Sequence, residues 1–293
     1  MPWIQLTVSA PERHAPHVGD MLQGNGAMAV TYRDAQDNPI FEPPIGELVY
    51  WQETLVTGLF PAETDLAPII ANLAKSSYFK DGFHYKTDQL EDKDWEREWM
   101  DSFHPIQFGN RLWVCPSWRE IPDPNAVNIM LDPGMAFGTG THPTTALCLG
   151  WLDGQQLEGK TVVDFGCGSG ILAIGALLLG ASRAVGIDID QQALLASKDN
   201  AARNGVAEQL EVYLPSNQPS LQADVVVANI LAGPLQELAA VITDYVAPHG
   251  ELVMSGILER QIDAVQNAYA DHFEFSPAEI KEGWVMLHAK RKQ

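Results

Sequence analysis

The chain has 293 residues, 46% of them hydrophobic, which allows one large domain or two ordinary ones with sizeable cores. Its formal charge is −20, from 18 Lys and Arg against 38 Asp and Glu, which opposes binding to phosphate backbones and favours a basic protein partner. No apolar run reaches the roughly 18 residues of a membrane span, the N-terminus MPWIQLTVSAPE shows no secretory pattern, and three widely spaced cysteines fit a reducing cytoplasm better than a disulfide framework or zinc site.

Along the chain, residues 3–8 alternate as a strand, 14–24 form a helix closed by Gly-Asn-Gly, and 27–33 form a second strand. An acidic, proline-rich stretch follows at 34–46, then a strand-like segment at 47–60. Residues 63–76 have helical spacing, with Leu66, Ile69, Ile70 and Leu73 on one face, and 83–89 read as a last strand. The order β-α-β-β-α-β predicts a small α+β ferredoxin-like domain over residues 1–90. Trp95, Trp99 and Phe103 then recur four apart, giving an amphipathic interdomain helix over 91–105.

From residue 106 to 293 the pattern becomes α/β. Short strands are expected at 111–114 and 128–131. Residues 132–145, DPGMAFGTGTHPTT, form a loop rich in Gly, Thr and His. Its open amides, with Thr144 or Thr145 capping the helix that Pro143 begins, can grip a carboxylate. Phe137, Gly138, Thr139, His142 and Thr145 are therefore candidate cofactor contacts.

Residues 161–165 have the β-branched content of a buried parallel strand and run into Gly166, Gly168 and Gly170, then directly into an apolar helix at 170–180. Such a turn places bare backbone beside whatever lies across the strand ends. A second strand, 184–188, ends in Asp188, twenty-four residues after Asp164, where a carboxylate can accept both hydroxyls of a ribose. The loop departs from the dinucleotide fingerprint: its third glycine comes one residue early, Ile171 stands where glycine is required, and no Lys or Arg falls between Lys160 and Arg183. Two carboxylates, Asp164 and Asp188, would repel a pyrophosphate and attract the sulfonium and ammonium of S-adenosyl-L-methionine. Asp164, Gly166, Gly168 and Asp188 are the candidate binding residues here.

The alternation continues with helix 190–204, strands 210–213 and 223–228, helix 232–246, strand 250–255 and helix 258–271, closing in a hairpin of 273–280 and 284–289. Strands alternating with helices imply right-handed crossovers and a parallel sheet. A closing antiparallel hairpin marks the seven-stranded, Rossmann-like sheet of class I methyltransferases. The fourth strand, DVVVAN, ends in Asn229 and Ile230, at the strand ends that face the ligand crevice. The segment is similar to the Asn-Pro-Pro-aromatic motif of nitrogen methyltransferases but lacks the prolines and the aromatic, which points to an aliphatic amine rather than a planar target.

The motifs FGTGTHPTT, DFGCGSGILAI, GIDID, DNAARNG and VVANILAGPL together resemble the ribosomal protein L11 methyltransferase family, over essentially the whole chain. The resemblance implies transfer of methyl groups from S-adenosylmethionine to lysine side chains and the N-terminal α-amine of ribosomal protein L11, with the front domain recognising this substrate. It implies cofactor binding at Thr145, Gly166, Asp188 and Asn229, and orientation of the amine by Asn229 and the Ile230 carbonyl. A cytoplasmic monomer with no membrane contact and no direct nucleic-acid recognition is expected. His104 and His142 are candidate proton acceptors, with a water path as the alternative. Rival readings are methylation of another protein or a nucleic-acid base, nicotinamide oxidoreduction, and non-catalytic cofactor binding.

Overall fold

The computed structural model describes residues 3–36, 49–79, 82–90, 103–132 and 142–293. The chain divides into two compact units, Met1–Met100 and Asp101–Gln293.

The first unit runs β1 (Trp3–Pro11), α1 (Ala15–Gly24), β2 (Ala29–Asp34), β3 (Glu53–Pro61), α2 (Ala67–Ala74) and β4 (Tyr85–Leu90). Its sheet has the order β2-β3-β1-β4 with every pair antiparallel, the β-α-β-β-α-β arrangement expected from sequence. Alternation sets its core: Leu6, Val8 and Ala10 of β1 share a face with Val56 and Phe60 of β3, and Val18, Leu22, Ile69 and Leu73 of the two helices cluster with them. Both helices carry proline in the first turn, where a missing N–H costs nothing. Residues 91–102, with Trp95 and Trp99 of the expected interdomain helix, lie outside the described residues, as do 37–48 and the loop residues Phe137, Gly138 and Thr139. Residues 103–105, read as the end of that helix, are not helical, because Pro105 disfavours helical backbone at the preceding His104.

The second unit opens with a three-stranded sheet of β5 (Ile106–Phe108), β6 (Leu112–Cys115) and β7 (Val127–Met130), in which β6 pairs antiparallel with β5 and parallel with β7. β5, only three residues long, was not expected from sequence. The main sheet contains β8 (Thr161–Phe165), β9 (Arg183–Ile187), β10 (Leu210–Tyr213), β11 (Ala223–Asn229), β12 (Val246–Leu258), β13 (Phe273–Phe275), β14 (Glu279–Lys281) and β15 (Trp284–Arg291). Its order is β10-β9-β8-β11-β12-β15-β13, with β14 also on β15. β8 to β12 are parallel, and β15 runs antiparallel to both β12 and β13. The expected seven-stranded sheet is thus present, with one additional short strand.

The helices are α3 (Pro143–Asp153), α4 (Ile171–Leu178), α5 (Gln191–Arg203), α6 (Ala232–Glu237), α7 (Ala239–Tyr245) and α8 (Ile262–Tyr269). The parallel strands are buried on both faces, as their continuous apolar runs require. Val162, Val225 and Val227 face a core shared with α3 and α4. Val163, Val226 and Ala228 face a second core closed by α6, α7 and α8.

Three of the expected elements are interrupted or begin differently. The helix read over 232–246 breaks at Leu238, whose backbone leaves helical geometry (φ −97°, ψ 10°). The helix read over 258–271 begins as a 3-10 turn, Glu259–Gln261. The strand read over 273–280 is interrupted by Pro277, which cannot donate to a ladder, so β13 and β14 pair with opposite ends of β15.

Successive strands leave β8 in opposite directions, to β9 and β10 on one side and to β11 and β12 on the other. Such a switch point opens a crevice at the carboxyl ends of β8 and β11.

Candidate active site

The crevice floor is the turn after β8. Gly166, Gly168 and Gly170 have φ of 81°, 53° and 79°, a left-handed run that only glycine adopts without strain. The turn is tightly held from below. The amides of Gly166 and Cys167 donate to the Ile187 carbonyl at 2.7 and 3.1 Å, and the Gly170 amide donates to the Cys167 carbonyl at 2.7 Å. Gly168 donates to Asp188 Oδ2 at 2.8 Å. From α5, Ser197 Oγ donates to the Gly168 carbonyl and Asn200 Nδ2 to the Ser169 carbonyl, each at 2.9 Å. Four loop amides are thus already committed to protein acceptors, so those four are not open to a pyrophosphate.

Asp164 is fully buried at the end of β8. Its Oδ2 accepts from the Ala173 amide at 3.0 Å, satisfying one orphan donor of the first turn of α4. Its Oδ1 is buried without a hydrogen-bond partner among the described residues. Burial pushes this carboxyl up to about 7; the Ala173 amide opposes the rise and nearby Asp188 adds to it. An unpartnered buried carboxylate oxygen is costly unless a donor arrives from outside.

Asp188, at the end of β9, is half-buried, accepting from Gly168 with one oxygen and from the Asp190 amide at 2.9 Å with the other. Asp190 caps α5 by accepting from the Gln192 amide at 2.9 Å, so the chain turns from strand to helix around Asp188. Between the two acids stands Ile189, 86% exposed. Sequence reading passed over this residue, although an apolar side chain in an acidic turn at a strand end was a usable signal.

Asn229 closes β11. Its Nδ2 donates to Thr145 Oγ1 at 3.3 Å, joining the fourth strand to fully buried Thr145 in the first turn of α3. Ile230 packs against Gly166, where an added Cβ would overlap the Ile230 Cγ2 methyl. Leu231 follows, 47% exposed. His142 is the N-cap of α3: its Nδ1 accepts from the Thr144 amide at 3.4 Å and lies 2.7 Å from Thr144 Oγ1, while its ring meets Trp284 edge-on at 4.9 Å. Burial lowers its pKa, with Glu282 opposing, so His142 is neutral at pH 7. His104 is exposed. The structure therefore brings Asp164, Gly166, Gly168 and Asp188 together at the floor, and joins Asn229 and Ile230 to Thr145 and Gly166. Among the described residues, no three His, Cys, Asp or Glu side chains form a metal-binding group.

The family model for ribosomal protein L11 methyltransferase (PrmA) matches residues 2–292. The chain belongs to this family. A ribosomal protein L11 methyltransferase of Idiomarina loihiensis is 64% identical over 291 residues, covering 99% of each chain. One from Aliivibrio fischeri is 59% identical over 294 residues, covering both chains fully. Among solved structures, the ribosomal protein L11 methylase of Lactobacillus delbrueckii subsp. bulgaricus matches with a TM-score of 0.59 and 31% identity, over 65% of this chain and 100% of that one.

As a ribosomal protein L11 methyltransferase family member, the chain has residues that fit S-adenosylmethionine on the geometry above. The unpartnered Asp164 oxygen can accept from an ammonium, and the two acids flanking the turn disfavour a phosphate. The raised Asp164 pKa has two consequences of opposite sign. With an ammonium held by the ionised carboxylate, cofactor affinity is expected to be full above pH about 7 and to fall as pH drops through it. The folded pKa exceeds the usual aspartate value, so this group stabilises the cofactor-free fold at low pH and that stability is lost as pH rises from about 4 through 7. At pH 8, Asp164→Asn is expected to raise the Tm of the cofactor-free protein by a few degrees while weakening S-adenosylhomocysteine binding and flattening its pH dependence. Calorimetry at pH 6 and 8 with thermal melts checks both; a variant with unchanged pH dependence contradicts the assignment.

Proposed function

We propose that the chain methylates amines of ribosomal protein L11, lysine side chains and the N-terminal α-amine, using S-adenosylmethionine. The observation that carries this is the strand end where Asn229 is held by Thr145 beside Ile230, directly across from the acid-flanked glycine turn. When bound, the cofactor supplies an electrophilic methyl on a sulfonium.

The protein's tasks are then to hold, orient and deprotonate the amine. A lysine with pKa about 10.4 stands roughly three units above neutral pH, an opposing free energy of about 4 kcal/mol. A partly dry crevice near a positive sulfonium lowers that pKa. Asn229 donates to Thr145 with its amide nitrogen, which leaves its carbonyl to accept from the incoming amine. The Ile230 carbonyl takes a second amine hydrogen. Exposed Leu231 offers an apolar wall to the lysine methylenes, and the segment after Asn229 carries no aromatic in sequence to stack a base. Ile189 offers the adenine ring a similar surface beside Asp188, whose carboxylate takes the ribose hydroxyls. The proton leaves through water; His142, with Nδ1 held at the cap of α3, serves the loop rather than the proton.

The first unit recognises the basic ribosomal protein, and the −20 charge of the chain speeds that encounter. We place the enzyme in the cytoplasm as a monomer. Among the described residues no helix is long and apolar enough to cross a membrane. The test is transfer of tritiated methyl to purified ribosomal protein L11 and, separately, to ribosomal RNA stripped of protein. Label is expected in the protein alone; label confined to RNA would reverse the substrate assignment.

A further inference from the structure

β12 runs alongside β15 in regular register except at one place. Met254 pairs with Leu287 and Ile257 with Val285, so Ser255 and Gly256 together oppose Met286. Two residues against one make a β-bulge, a device that bends a strand and re-aims its groups. The bulge is anchored on both sides. Ser255 is fully buried, donates through Oγ to the Val285 carbonyl at 2.9 Å, and is the ladder partner of Asn229 on the other edge.

Gly256 has φ of +86°. A Cβ at this position would overlap the Ile230 carbonyl oxygen and stand 2.8 Å from the Ile230 carbonyl carbon and 3.4 Å from its nitrogen. All three are backbone atoms, which cannot swing aside as a flexible side chain does. Ile230 is thus confined twice: Gly166 receives its side chain and Gly256 its peptide group.

We propose that Gly256 is a positioning residue for methyl transfer: its bare backbone, presented by the β12 bulge, sets the direction of the Ile230 carbonyl and so the orientation of the methyl-accepting amine. The proposal rests on the reading of Asn229 and Ile230 as the groups that hold that amine. It differs from a purely conformational requirement for glycine, because the clash is with the reaction's own backbone carbonyl.

The test compares Gly256→Ala with Gly205→Ala. Gly205 also has positive φ (71°), but an added Cβ meets nothing within 4 Å. Both variants carry left-handed strain, and only one displaces Ile230. Using full-length protein, S-adenosylmethionine and ribosomal protein L11, Gly256→Ala is expected to lose about 100-fold in kcat, with the Kd for S-adenosylhomocysteine within threefold of wild type. Gly205→Ala should keep kcat within twofold. Should Gly256→Ala fold poorly, Ser255→Ala loosens the bulge without adding atoms and is expected to lower kcat about fivefold at unchanged Kd. Loss of cofactor affinity in step with kcat, or near-wild-type kcat in the folded variants, overturns the proposal. Asn229→Ala, assayed beside them, separates the failures: if it too keeps its activity, the amine-holding reading itself is wrong, whereas if it alone loses activity, only the role of Gly256 is.

Discussion

Asn229→Ala is expected to lower kcat by about 100- to 1000-fold while leaving the Kd for S-adenosylhomocysteine within about threefold. The asymmetry follows from where Asn229 stands. Its side chain donates to buried Thr145, and the bonds that shape the glycine turn run to Ile187, Asp188, Ser197 and Asn200, so the proposed cofactor floor is expected to survive its loss. What disappears is an acceptor aimed at the attacking nitrogen, and misplacing a nucleophile in a near-attack geometry costs on the order of 100-fold or more. Losing the hydrogen bond to Thr145 Oγ1 adds a small structural effect of about 1 kcal/mol. Steady-state kinetics on ribosomal protein L11 beside calorimetry separates the two; parallel loss of turnover and affinity would place Asn229 among the cofactor contacts only.

Asp188→Ala has the opposite signature. It is expected to raise the Kd for S-adenosylhomocysteine by about 10- to 150-fold, since the hydrogen bonding of the ribose to a charged acceptor is expected to contribute about 1.5–3 kcal/mol. A second effect reinforces the first. The same carboxylate accepts from the Gly168 and Asp190 amides, so its removal also loosens the turn and the entry to α5. Asp188→Asn isolates the roles: one side-chain oxygen survives for Gly168 while the charge is gone, and an intermediate loss of affinity is expected. Calorimetry on the two variants reads this directly, and unchanged binding in Asp188→Ala would remove this residue from the ribose site.

What the sequence disclosed was local. The strand at 161–165, the glycines after it and the acid ending the next strand were legible because each follows from a short-range rule: apolar β-branched run, left-handed turn, strand-end carboxylate. Asn229 was legible as a polar residue ending an apolar strand. Less legible were features decided by a distant partner. β13 and β14 read as one strand until β15 is seen to pair with both around Pro277. Leu238 shows nothing in sequence that ends α6 there. The reach of β12 was hidden by Pro248, His249 and Gly250, which read as a turn although the strand spans Val246–Leu258. The Ser255–Gly256 bulge was hidden because Gly256 falls just past the strand read over 250–255. Only tertiary structure reveals that it lies against Ile230. Likewise, the unpartnered oxygen of Asp164 and the four committed amides of the turn cannot be read from residue order.

The claim beneath all of these is that an acid-flanked glycine turn selects an adenosyl donor lacking phosphate. Titration calorimetry of the wild-type protein at pH 8 with S-adenosylhomocysteine and with NADH tests it most directly. The account predicts one-to-one micromolar binding of S-adenosylhomocysteine and no measurable heat with NADH; tight NADH binding with S-adenosylhomocysteine excluded would contradict it.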